Sequence, residues 1–245
     1  MSNWYSATAT IISGSRGTNL WQVRDHSKGM PDTEIKPEPR WPAFLAALIV
    51  GLLFFIIPDP LTVGPRWLLF TLVLTLMIPA MITHHAGRHD LNAIFAHAGL
   101  AVITIFLISS LGLLIIRLPL HKDPPGELLR AAGALWSANL LLFASWYWRL
   151  DAGGPYERDK RGVHTDGAFL FPQMQMDPVL KKQMGEEDWS PRFVDYLFLA
   201  FNSSTAFSPT DSPVLSRWAK VLMMTQSSIS LATLALLAAR AVNIL

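Results

Sequence analysis

"PRFVDYLFLAFNSSTAFSPTD", Pro191 to Asp211, is the stretch on which the fold turns. Its apolar part, Phe193 to Phe201, is too short to cross a hydrocarbon layer of ~30 Å at ~1.5 Å of rise per residue. Extended to Phe207 it reaches a marginal length, but only by taking in Asn202, Ser203, Ser204 and Thr205. Segments of that size are more often re-entrant than spanning. Two architectures follow: five spans plus a short re-entrant, pore-helix-like segment, or six spans.

The rest of the chain supplies the spans. Outward from this stretch, Val214 to Leu245 is long enough to cross, and four apolar blocks lie upstream. These are Trp41–Pro58, Trp67–Thr83 with Pro79 set to kink its end, Asn92–Ile116, and about Leu128–Trp148 with "WYW" at its exit. Over 245 residues, 51% hydrophobic and 16% charged with mean hydropathy +0.32, such blocks define an all-α, polytopic helical membrane protein. The ten-residue alternation of an outer-membrane barrel is absent. Five sections result: a polar N-terminal tail over 1–40, four transmembrane helices over 41–148, and a hydrophilic loop over 149–190. A short re-entrant helix with a polar, filter-like loop follows over 191–213, then a C-terminal transmembrane helix over 214–245. Phe169–Pro178, inside the hydrophilic loop, is apolar enough to dock on the membrane surface or another subunit, or it is a plain loop.

Net charge is +2 with no basic cluster interleaved with aromatics, so nucleic acid is not an expected partner. Cysteine is absent, which excludes thiol chemistry. The first forty residues lack the basic start and short apolar core of a signal peptide. With the N-terminus cytoplasmic, the tail, "HHAGRHD" and Arg149–Ser190 carry most of the Lys and Arg inside, together with Arg192. The other side receives Arg66, Arg117, Lys122, Arg130, Arg217 and Lys220. The positive-inside rule favours that orientation. A re-entrant segment then leaves the C-terminus outside; six spans bring both termini inside.

The C-terminal fifty residues resemble a family of small bacterial membrane proteins of unknown function. The likeness rests on Asp195, Tyr196, Leu197, Phe201, Phe207, Asp211 and the closing Ala241, Val242, Asn243. They also resemble the pore helix, filter and inner helix of potassium channels, with Thr205 to Asp211 in register with the filter and "RWAK" from Arg217 opening the inner helix. Both filter glycines are missing: Ser208 and Thr210 do not reach the alternating backbone geometry cheaply, and Pro209 fixes its own φ. Potassium selectivity therefore does not carry over. These resemblances imply residence in the bacterial inner membrane, a homo-oligomer and inorganic ions as possible partners beside the lipid bilayer.

The candidate site is Asn202, Ser203, Ser204, Thr205, Ala206, Phe207, Ser208, Pro209, Thr210 and Asp211, read as a polar element beside a water-filled path. The plain alternative is an interfacial loop in which Thr210 or Ser212 caps the last helix. Gln226, Ser227 and Ser230 share a helix face and either line that path or glue helices together. Asn139 is expected to bond to a neighbouring helix, and Arg130 to reach the interface. Asp195 is expected to pair with Arg192 or anchor the start of the short segment. His85 and His89 have i, i+4 spacing as metal ligands can, but Gly87 stands between them, and interfacial histidines are the ordinary reading. No cofactor-binding or enzyme signature is present. The expected activity is that of a channel-like, possibly ion-conducting oligomer. The alternative is a non-transporting membrane protein that uses the same element for packing or for binding a partner or lipid.

Overall fold

The computed structural model describes residues 38–117, 124–161, 164–205 and 212–242. Each apolar block becomes a helix whose bounds follow local signals. α1 (Trp41–Leu53) starts with a proline in its first turn, where the missing N–H costs nothing. It stops short of the expected Pro58: Phe54–Ile57 leave the helix and a 3-10 turn covers Asp59–Leu61. At 13 residues α1 reaches only about 20 Å. α2 (Trp67–His85) carries Pro79 inside it, and α3 (His89–Arg117) follows after a turn at Gly87. α4 (Pro125–Leu150) also opens on a proline. α2, α3, α4 and the last helix, α8 (Arg217–Val242), are long and apolar enough to cross a membrane.

Two short helices, α5 (Pro155–Arg161) and α6 (Pro178–Met184), lie in the hydrophilic segment. Between α4 and α5 the backbone turns back at Gly154, φ 89°, where a Cβ would stand 2.7 Å from the Arg149 carbonyl oxygen. Only glycine fits that turn. α7 (Phe193–Thr205), 13 residues long, precedes α8.

Contacts fix which ends of the helices share a level. The start of α1 meets the end of α4, since Arg158 bonds to Glu38 at 2.8 Å and Arg40 to Asp159 at 2.5 Å. Arg149 donates to Asn92 at the start of α3, and His89 stacks on Tyr156 at 3.6 Å. The Arg66–Asp59 pair, 2.6 Å, belongs to the opposite end. One end, the charged end, thus gathers Glu38, Arg40, the His84–His89 turn and the segment following Leu150. The core runs between α1, α3, α4, α7 and α8, with Leu107, Leu135, Phe143, Tyr147 and Tyr196 fully buried.

α7 begins at the charged end, where the Tyr196 hydroxyl donates to Asp151 at 2.7 Å, just past α4. α8 begins at the same end. Val214 forms an antiparallel bridge with Phe169, and Leu215 N–H donates to Ala168 C=O at 2.8 Å. Ala168 N–H in turn donates to Asp151. Both flanks of the 193–213 stretch therefore stand at one level, while Ser204 lies beside Gln226 and Ser230. Those two residues are about 14 and 20 Å along α8 at 1.5 Å per residue. α7 thus runs from the charged end to about the middle of the bundle, and α8 starts again from that same end. Arg217 and Lys220 consequently join the charged end rather than the far side where the charge count had put them.

Within Phe169–Pro178 the two phenylalanines turn away from solvent. Phe169 and Phe171 are buried in the bundle itself, with Phe169 against Tyr147 (5.2 Å between centroids), Tyr196 and Trp218. Residues two apart in extended backbone point the same way, which lets both phenylalanines turn inward.

Candidate functional site

α7 is a half-helix held at both levels. Its start is fixed by Asp195, which pairs with the backbone of Arg192 rather than its side chain: Arg192 N–H donates to the Asp195 carboxylate at 2.7 Å. That is the reach-back half of a capping box. Burial raises the Asp195 carboxyl above its usual range, against the opposing pull of the N–H groups of Arg192 and of Asp195 itself. The next residue, Tyr196, is fully buried, and burial holds its phenol well above the usual tyrosine range, so it remains a donor to Asp151.

Asp151 is the anchor of this level. Beyond Tyr196 and Ala168, it has His164 Nε2 at 3.0 Å. Arg158 packs its guanidinium over the Trp148 and Tyr196 rings and donates to the carbonyls of Trp148 and Asp151. One buried carboxylate therefore ties the entry of α7 to the segment that pairs with the start of α8. Its sequence signal was faint: a lone acid directly after "WYWRL" and before the Gly153–Gly154–Pro155 turn.

At the inner level α4, α7 and α8 meet in a closed polar knot. Gln226 donates to Ala200 C=O at 2.8 Å and to Ser204 Oγ at 2.9 Å, and it accepts from the Tyr147 hydroxyl. Ser227 donates to Ser203 C=O at 3.1 Å, and Ser230 to Ser204 C=O at 2.8 Å. Trp136 Nε1–H donates to Ser230 Oγ at 2.9 Å, and Asn139, bonding across helices as expected, donates to Gln226 C=O at 3.3 Å. Gln226, Ser230, Ser203, Ser204 and Asn139 are buried. Thus Gln226, Ser227 and Ser230 face the last turns of α7 within a single chain, and Ser227 and Ser230 bind two of the carbonyls, Ser203 and Ser204, that a helix C-terminus leaves unpaired.

Of the ten-residue candidate stretch, Asn202, Ser203, Ser204 and Thr205 form the last turn of α7; Ala206, Phe207, Ser208, Pro209, Thr210 and Asp211 lie outside the described residues. Ser203 and Ser204 turn into the knot, whereas Thr205 is exposed. The cap of α8 is Ser216, which accepts from Ala219 N–H at 3.3 Å, rather than Ser212. His85 ends α2 and His89 begins α3, stacked on Tyr156, so they do not share a helix face. Among the described residues no three His, Asp or Glu side chains gather as metal ligands. Arg130 stays exposed and bonds to Gly126 C=O at 3.2 Å.

Comparison with family models, with curated proteins and with solved structures finds no match to this chain.

Proposed function

We propose that the chain is a channel-like protein of the bacterial inner membrane, in which α7 and its following loop form the wall of a cation path between copies of the chain. The observation that supports this reading is the half-helix. α7 stops near mid-depth, and its C-terminal, negative dipole end points into the interior, where it favours cations. Non-helical backbone at that depth is tolerated only inside protein or beside water. Gln226, Ser227 and Ser230 then serve to hold α7 rather than to line the path. The outer faces of α7 and α8, with Val194, Phe198, Phe201, Val221, Met224 and Leu231 exposed, provide the apolar surface for contact between copies. With the charged end cytoplasmic, the path is entered by α7 from the inside.

The test is flux through liposomes reconstituted with the purified full chain, monitored for potassium and sodium, with mass measured in parallel. Expected are an oligomer and a cation flux above that of empty vesicles, reduced several-fold by Asp211→Asn. A strict monomer in detergent and in lipid, or no flux of any ion, would overturn it. The buried knot favours a second reading, in which α7 only stabilises packing. An oligomer without flux whose stability depends on Gln226 would support that reading.

A further inference from the structure

Independently of the pore reading, a pocket separates α1, α2, α3 and α4 and opens at the charged end. It encloses about 710 Å³, counting the open space at its mouth. Along α2 its lining runs from His84 to Val73, and along α3 from Asn92 to Ile103. Both distances are about 16 Å at 1.5 Å per residue. The walls are apolar, and small residues keep them apart: Ala43 and Ala47 on α1, Ala96 and Gly99 on α3. The depth, the narrow apolar lining and the opening at one membrane face match one extended hydrocarbon chain.

The mouth is cationic. Arg40 and Arg149 both line it. Arg40 is paired with Asp159, and the nearby Glu38 is committed to Arg158, which leaves Arg149 as the cation to be met at the mouth. Arg149 donates only to the Asn92 backbone and side-chain oxygens, each at 3.0 Å, and no carboxylate lies within ion-pair distance of it among the described residues. A half-buried guanidinium with neutral acceptors alone is under-compensated, and a phosphate matches its fork geometry. We infer that this pocket holds one acyl chain of an anionic phospholipid from the charged-end leaflet, with the lipid phosphate on Arg149 beside Arg40.

The probe is the full chain in mild detergent, its thermal unfolding titrated with phosphatidylglycerol, phosphatidylcholine, and glycerol phosphate as a headgroup without chains. Phosphatidylglycerol should raise the transition at concentrations about tenfold below phosphatidylcholine, the worth of one charge-assisted hydrogen bond. Glycerol phosphate should leave it unchanged. Arg149→Gln should erase that preference and Arg149→Lys largely keep it. Ala96→Phe, which fills the slot while leaving the arginines in place, should weaken phosphatidylglycerol binding by a similar factor, and it decides the matter if Arg149→Gln does not fold. Equal effects of the two lipids, phosphatidylglycerol binding undiminished in Ala96→Phe, or stabilisation by glycerol phosphate alone would each overturn the inference.

Discussion

The fully buried Gln226 amide serves three partners, which makes it the centre of the knot between α4, α7 and α8. Gln226→Leu leaves Ala200 C=O, Ser204 Oγ and the Tyr147 hydroxyl to find other partners. A cost of about 1–3 kcal/mol is expected from the groups left unsatisfied. Tyr147→Phe removes a single bond and should cost about 0.6–1.7 kcal/mol, the range measured across membrane helices. Reversible unfolding in detergent measures both; a Gln226→Leu change no larger than Tyr147→Phe would mean that the knot does not act as one unit. At the other level, Asp151→Ala strands the Tyr196 hydroxyl and the Ala168 N–H in a buried place. It should destabilise by about 2–6 kcal/mol, two groups each at about 1–3. Asp151→Asn, which keeps acceptor oxygen, should cost less. The Asp151 role was not legible in the sequence. Polar residues at helical spacing on α8 leaned towards packing over a path, and only the identity of the partner residues separates the two.

At the scale of elements, most of the fold was written in hydropathy. The blocks that became α2, α3, α4 and α8 showed as charge-poor runs bounded by Trp, Arg or Pro, and the structure moves their ends by only a few residues. α1 was read as longer than its helix because an apolar composition does not reveal where hydrogen bonding stops; Phe54–Ile57 are as apolar as the helix before them. The short length of α7 was legible, and with it the re-entrant alternative. The docking of Phe169 and Phe171 was not, since two phenylalanines in a polar loop signal burial without naming the surface. Phe169 bridges Tyr147, Tyr196 and Trp218, one from each of α4, α7 and α8. Phe169→Ala should therefore cost about 3–5 kcal/mol, and limited proteolysis should cut the 164–190 segment faster in that variant. Unchanged cleavage would show that the segment is held chiefly by Asp151.

For the whole molecule, the arrangement that reconciles charge and hydropathy is a bundle entered twice from its charged end, by α7 to mid-depth and by α8 throughout. Arg40, Arg88, Arg149, Arg158, Lys160, Arg161, Lys181, Lys182, Arg192, Arg217 and Lys220 then share one side, leaving Arg66, Arg117, Arg130 and Arg240 opposite among the described residues. This is a stronger asymmetry than the sequence alone offered, and under the positive-inside rule it supports the proposed orientation with the charged end in the cytoplasm. The absence of native cysteine makes single-cysteine labelling clean. In intact cells and in inverted vesicles, an impermeant thiol reagent would be applied to Thr165→Cys, to Leu215→Cys and to a cysteine appended after Leu245. The account predicts that Thr165→Cys and Leu215→Cys label only from the cytoplasmic side and the appended cysteine only from the other. Labelling of Thr165→Cys and Leu215→Cys from opposite sides would mean that the Phe193–Thr205 segment crosses, and would contradict the half-helix on which the account rests.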